Sequence, residues 1–189
     1  MRVSRAMRLF VGLDLPYEVR RNLELLLQLL RPKADLQWSP PANLHITTKF
    51  IGEWPEEELE ILREALAGVA VPGEFPVDIQ GLGWFPDAER PRVFWAGIRA
   101  GEPLAALARA TEDACAALGI ERENRPYSPH LTLARIRRPV DLGPLRRAIE
   151  GLATDHFGRF TAAEFHLYES KLRPGGSIYT KLASFPLKK

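Results

Sequence analysis

Two rhythms run through this chain, with apolar residues at every second position in some segments and at every third or fourth in others. Residues 8–13, R-L-F-V-G-L, alternate as a strand, and Asp14 stands where it can cap the element that follows. Over 17–30, Val19, Leu23, Leu26, Leu27 and Leu30 share one stripe, which predicts an amphipathic helix stopped by Arg31-Pro32. A short extended piece at 36–38 and the stiff Ser39-Pro40-Pro41 lead into a strand over 44–52, L-H-I-T-T-K-F-I-G, closed by Gly52 and Pro55. Residues 56–67 read as a helix with three glutamates in its first turn, 75–82 as a strand, and 86–91 as a polar loop. The second half follows with a strand at 92–98, a helix at 104–118 ended by Gly119, and a strand at 129–136, P-H-L-T-L-A-R-I. A helix at 142–152 and strands at 160–170 and 178–185 about Pro174-Gly175-Gly176 complete the plan.

The order repeats. Strand, helix, strand, helix, strand over residues 8–85 returns over 92–170 at an offset of about 85 residues. A duplicated unit returns as a pseudo-two-fold arrangement, so the expectation is an α+β fold in one bilobal domain spanning 1–189, with antiparallel sheets and outer helices. The third element of each half carries the same tripeptide pattern, His45-Ile46-Thr47 and His130-Leu131-Thr132. With seven Thr among 189 residues, two H-x-T hits from four His amount to roughly a one-in-a-hundred coincidence. One H-x-T strand is therefore expected in each lobe.

Composition narrows the setting. Hydrophobic residues make up 46% and charged residues 26%, as in ordinary folded proteins, and no apolar run is long enough to cross a membrane. Cys115 is the sole cysteine and falls on the apolar face of the 104–118 helix, so neither an internal disulfide nor a nucleophile is expected of it. A cytoplasmic monomer is the expectation. The net charge is only +2, yet residues 122–147 hold seven arginines against Glu123 and Asp141, which puts a basic field around the second H-x-T.

In an extended tripeptide, residues i and i+2 point to one side about 6.6 Å apart, so each His and Thr face a common cleft while Ile46 and Leu131 face the core. Displacement at phosphorus is in line and wants an acid and a base on opposite sides. Two opposed imidazoles, with ordinary pKa values of about 6.5, meet that need near neutral pH. The two Thr hydroxyls can donate to the non-bridging oxygens. No third ligand stands at metal spacing near either motif, so no metal or other cofactor is expected, and His156 and His166, lacking a Thr partner, read as structural or exposed.

These motifs, H-I-T-T-K-F and H-L-T-L-A-R, resemble the two signatures of the two-histidine phosphoesterase superfamily, and within it the RNA 2′,3′-cyclic phosphodiesterases long called 2′-5′ RNA ligases. The resemblance extends to R-L-F-V-G-L-D-L-P at 8–16, R-V-F-W-A-G-I at 92–98, R-P-Y-S-P-H-L-T-L-A-R at 125–135 and L-Y-E-S-K-L at 167–172. It implies a bilobal fold and metal-free opening of a 2′,3′-cyclic phosphate on an RNA end, tRNA fragments included, to a 2′-phosphate. Reverse joining into a 2′-5′ linkage is a side activity. By position His45 matches the proton donor to the departing O3′ and His130 the base that activates water; the symmetric chemistry alone leaves these roles open. Thr47 and Thr132 carry over as phosphate donors, and Arg135 as an arginine near the phosphate, although strict alternation from His130 sends it to the opposite face. Phe10 and Tyr127 match cleft aromatics that could stack on a base. Lys49 shares the face of His45 and Thr47 and adds positive potential there. Two other readings stay open: an enzyme acting on a small cyclic nucleotide, and a nucleotide-binding module without turnover.

Overall fold

A computed structural model describes residues 3–189. Its elements run β1 (Ala6–Leu13), α1 (Tyr17–Leu30), β2 (Gln37–Trp38), β3 (Ile46–Pro55), α2 (Leu59–Ala67), β4 (Phe75–Phe85), β5 (Val93–Arg99), α3 (Gly101–Ala117), β6 (His130–Arg135), α4 (Gly143–Glu150), β7 (His156–Ala162), β8 (Glu164–Arg173) and β9 (Gly176–Pro186). The leucine stripe of α1 is buried as its spacing predicts, with Val19, Leu23, Leu26, Leu27 and Leu30 all inside. Asp14 does not cap that helix. Its carboxylate accepts from Leu15 N and Arg20 Nη2 and pairs with Lys181 Nζ at 2.5 Å, so it ties β1 to β9 instead. The glutamates at 56–58 form a 3-10 turn, the Trp54 indole donates to the Glu58 carbonyl at 2.9 Å, and the α-helix proper starts at Leu59.

All strand pairs within the sheets are antiparallel, in a four-stranded sheet of order β3-β1-β8-β9 and a five-stranded sheet of order β2-β6-β5-β4-β7. The α+β expectation is met, but the lobes are not the two halves of the sequence. β4 leaves the first half to pair with β5, and β8 leaves the second half to pair with β1. The helices cross as well: α1 follows β1 yet packs on β7, and α3 follows β5 yet packs on β3. Each sheet thus depends on both halves, and one continuous apolar core joins Leu9, Val11 and Ile46 of one sheet to Phe94, Leu131 and Leu133 of the other.

The expected single strand at 160–170 is two strands in different sheets. Apolar positions are even-numbered at Phe160 and Ala162 but odd-numbered at Phe165 and Leu167, and the chain changes sheet at the intervening Ala163.

Both motif strands carry a bulge at the same place. In the β1–β3 ladder Gly12 faces Thr47 and Val11 faces Lys49, so Thr48 is skipped. In the β5–β6 ladder Trp95 faces Thr132 and Phe94 faces Ala134, so Leu133 is skipped. Gly12 is required at its position, because a Cβ there would sit 2.5 Å from the Ile46 carbonyl oxygen.

Candidate active site

His45 lies immediately before β3, and His130 is the first residue of β6. The two strands belong to different sheets and touch each other. Hydroxyls stitch them reciprocally: Tyr127 Oη, from the lead into the second motif, donates to the Thr47 carbonyl at 2.9 Å, and Ser39 Oγ, from the lead into the first, donates to the Thr132 carbonyl at 2.9 Å. The mutual placement of the motifs is therefore set by direct hydrogen bonds between them.

Each imidazole is held through the same atom. A backbone carbonyl can only accept, so the 2.7 Å contact of His45 Nδ1 with Asn43 O and the 2.9 Å contact of His130 Nδ1 with Ser128 O both place a hydrogen on Nδ1. Nε2 is left as the nitrogen that can gain or give a proton. On the His45 side it meets Thr47 Oγ1 at 2.7 Å. The segment that carries Asn43 is itself clamped: Arg20 Nη1 donates to Pro41 O at 2.5 Å and Leu44 O at 3.1 Å, and Asn43 Nδ2 donates to Ser177 O at 2.7 Å.

Both rings are less basic than free imidazole. Burial pushes His45 down to about 4, partly offset by the hydrogen bond to Asn43 O, with the charges of Arg20 and His130 adding to the depression. Burial also lowers His130, and Arg135 acts in the same direction. The expectation that one ring is protonated near neutral pH because of its ordinary pKa is thus corrected. Burial disfavours the protonated form of both rings, and a proton on His45 calls for a nearby anion.

The other expected residues fall into different places. Phe10 is buried and lies under the His45 ring, centroids 4.6 Å apart, with Tyr168 stacked on it at 4.9 Å; it seats the imidazole and has no face open to a base. Lys49 is buried in an ion pair and does not stand free beside His45 and Thr47. The bulge at Thr48 breaks the alternation, and the Lys49 side chain is 1% exposed, with Nζ donating to Glu112 Oε1 and Glu121 O at 2.8 Å each. Phe50 is the residue that emerges instead, 57% exposed. The equivalent bulge at Leu133 removes the objection to Arg135, whose charge reaches both His130 and Tyr179. Tyr127 is half-buried with its hydroxyl engaged on Thr47 O.

Other contributors were not read from the sequence. Tyr179 meets the His45 ring edge-on at 5.2 Å, Phe85 meets His130 in the same way at 5.1 Å, and Asn43 and Ser128 supply the carbonyls. The position two residues before each His was visible, but a carbonyl role has no side-chain signature. His156 pairs with Asp78 at 3.2 Å, His166 is buried against Ser184 Oγ at 2.8 Å, and burial pushes the Cys115 thiol up to about 11. Among the described residues no three of His, Cys, Asp and Glu gather in a way that could hold a metal ion.

The family model described as LigT like phosphoesterase matches the chain twice, over residues 13–95 and 98–179. The RNA 2′,3′-cyclic phosphodiesterase of Archaeoglobus fulgidus is 32% identical over 179 residues, 95% of this chain and 99% of that protein. The protein of the same name from Thermus thermophilus is 34% identical over 195 residues, 96% of this chain and 91% of the relative. Among solved structures, E. coli LigT complexed with 3′-AMP superimposes with a TM-score of 0.79 at 27% identity, covering 98% of this chain and 100% of that one. A solved structure from Thermus thermophilus gives 0.77 at 32% identity, covering 96% of this chain and 98% of that one.

Proposed function

This chain belongs to the LigT-like phosphoesterase family, and from that membership we propose that it is an RNA 2′,3′-cyclic phosphodiesterase leaving a 2′-phosphate. The observation that carries the reading is the shared pinning of the two imidazoles: both Nδ1–H groups are consumed by backbone carbonyls, and the two motifs are hydrogen-bonded to each other. An in-line displacement at phosphorus needs the attacking and departing oxygens on opposite sides. His130 Nε2 takes the proton of the attacking water as its oxygen bonds to phosphorus, and His45 Nε2 gives its proton to O3′ as the P–O3′ bond breaks. The phosphate stays on O2′.

The depressed pKa values fit a substrate-dependent charge. A phosphodiester anion in the cleft favours the protonated form of His45, which burial alone disfavours. Its arrival also displaces the Nε2 contact of Thr47, whose hydroxyl then donates to a non-bridging oxygen opposite that of Thr132. The scheme routes no step through a metal. The same displacement with a 5′-hydroxyl in place of water joins two RNA ends through a 2′-5′ linkage.

The test incubates an oligoribonucleotide ending in 2′,3′-cyclic phosphate with the protein in excess EDTA and identifies the product isomer. A 2′-phosphate is expected. A 3′-phosphate, no turnover, or turnover only after metal is restored contradicts the proposal.

A further inference from the structure

Arg20 stands on α1, outside both motifs, and its guanidinium is directed at the backbone behind the first of them. Nη1 donates to Pro41 O at 2.5 Å and Leu44 O at 3.1 Å, and Nη2 to Asp14 Oδ1 at 2.7 Å. Pro41 and Leu44 bracket the Asn43 carbonyl that accepts from His45 Nδ1, and Leu44 immediately precedes His45. Asp14, just past the end of β1, is held in turn: Leu15 N donates to Oδ1 at 2.9 Å, and Lys181 Nζ of β9 pairs with Oδ2 at 2.5 Å. The second motif has no such bracket. His130 Nδ1 meets Ser128 O, and among the described residues no other side chain bonds a carbonyl of residues 126–129.

We infer that Arg20 is a positioning residue for His45: its forked guanidinium fixes the 41–44 turn, so that the Asn43 carbonyl keeps the ring hydrogen on Nδ1 and leaves Nε2 aimed into the cleft. The effect on rate rests on the proposed phosphodiesterase reading; the effect on the ring does not. The turn needs outside support. It is a single 3-10 stretch, a form with poor hydrogen-bond geometry, and its closing bond from Leu44 N to Pro41 O is 3.3 Å long. Arg20 binds that same Pro41 carbonyl and the last carbonyl before His45, and the ion pair with Asp14 ties both to β1 and β9. A planar guanidinium presents its donors in a rigid fork, so three acceptors are placed at once, which a lysine ammonium on its flexible stem does not do. The charges also balance. Beyond burial and the Asn43 hydrogen bond, Arg20 opposes a proton on His45 and Asp14 favours one, so the pair lets the fork stand near the ring with its cation partly offset. Misplacement of a reacting group by about 1 Å can cost about 10²-fold in rate, which makes so small a turn worth clamping.

The experiment compares Arg20→Ala and Arg20→Lys on an oligoribonucleotide ending in 2′,3′-cyclic phosphate, with Arg21→Ala, an exposed neighbour paired to Glu24, as control. Arg20→Ala should lower kcat about 10²-fold and Arg20→Lys about tenfold, each with KM within about twofold, while Arg21→Ala keeps both parameters. Guanidinium ion, added below the concentration that unfolds the protein, should restore part of kcat to Arg20→Ala and none to Arg21→Ala. A second readout needs no turnover: ¹⁵N NMR of the imidazole nitrogens above pH 7 should show His45 as the Nδ1–H tautomer in the unaltered protein and as a mixture in the Arg20 variants, with His130 unchanged. Should Arg20→Ala fail to fold, Arg20→Lys decides by the same two measurements. A kcat within twofold of wild type in both Arg20 variants, a loss confined to KM, an unchanged His45 tautomer, or an equal tautomer change at His130 would overturn the inference. If the unaltered protein does not hydrolyse the cyclic end, the phosphodiesterase reading falls, and the tautomer measurement still decides whether Arg20 orients His45.

Discussion

The two H-x-T segments are built alike and furnished differently. Each has a carbonyl two residues upstream on Nδ1, a bulge immediately after the Thr, and a hydroxyl from the other motif's lead on the Thr carbonyl. Around His45, Phe10, Tyr168 and Tyr179 close in with centroids at 4.6, 6.1 and 5.2 Å, and Thr47 holds Nε2. His130 has Phe85 at its edge and the charge of Arg135 nearby. The repeated backbone supplies position, and the unrepeated aromatics supply difference. The enclosed ring keeps a proton only when an anion compensates for lost hydration, while the more open ring can exchange protons with water. That asymmetry suits an acid charged by its own substrate on one side and a base renewed by solvent on the other.

The largest expected effect comes from deleting either imidazole. His45→Ala and His130→Ala should each lower kcat by about 10² to 10⁴ with the fold retained, and a variant near the wild-type rate would remove that residue from the scheme. Thr47→Val and Thr132→Val should each cost about 10² to 10³ in kcat. They also separate the two sites. Thr47 donates to neutral His45, so its loss should raise the pKa of the acid limb, whereas Thr132→Val should leave that limb in place.

Lys49→Met probes the link between the sites. It leaves Glu112 and the Glu121 carbonyl without their cation, and unfolding in urea should show a loss of about 3 kcal/mol, toward the low end for a broken buried pair because the Glu112 side chain retains 18% exposure. A loss under about 0.5 kcal/mol would mean that the pair contributes no more than an exposed one. The smallest effects belong to the stitching hydroxyls: Ser39→Ala and Tyr127→Phe should each cost about 0.5–1.5 kcal/mol of stability, and the double variant should show whether the two bonds act independently.

Much of this organisation was legible in the chain because local rules decided it. The α1 stripe specified residues 17–30 to both ends, and the repeated tripeptide located the cleft. Two things escaped a local reading. Bulges have no residue signature here, so the alternation that assigned Lys49 to the cleft and Arg135 away from it failed just past Thr48 and Leu133. The exchange of β4 and β8 between sheets is a matter of tertiary pairing, and a repeat in sequence fits either pairing equally well. The change of apolar parity at Ala163 was the one trace of it in the sequence.

The central claim, that two imidazoles divide acid and base duty on one phosphate, is tested most directly by the pH dependence of kcat/KM. That parameter follows the free enzyme, in which the proposed scheme needs His45 protonated and His130 neutral. With His45 near 4 and His130 below its ordinary 6.5, activity should rise and then fall as pH increases, with both limbs on the acid side of 6.5. A profile that is monotonic, or whose descending limb begins above 6.5, would contradict the account.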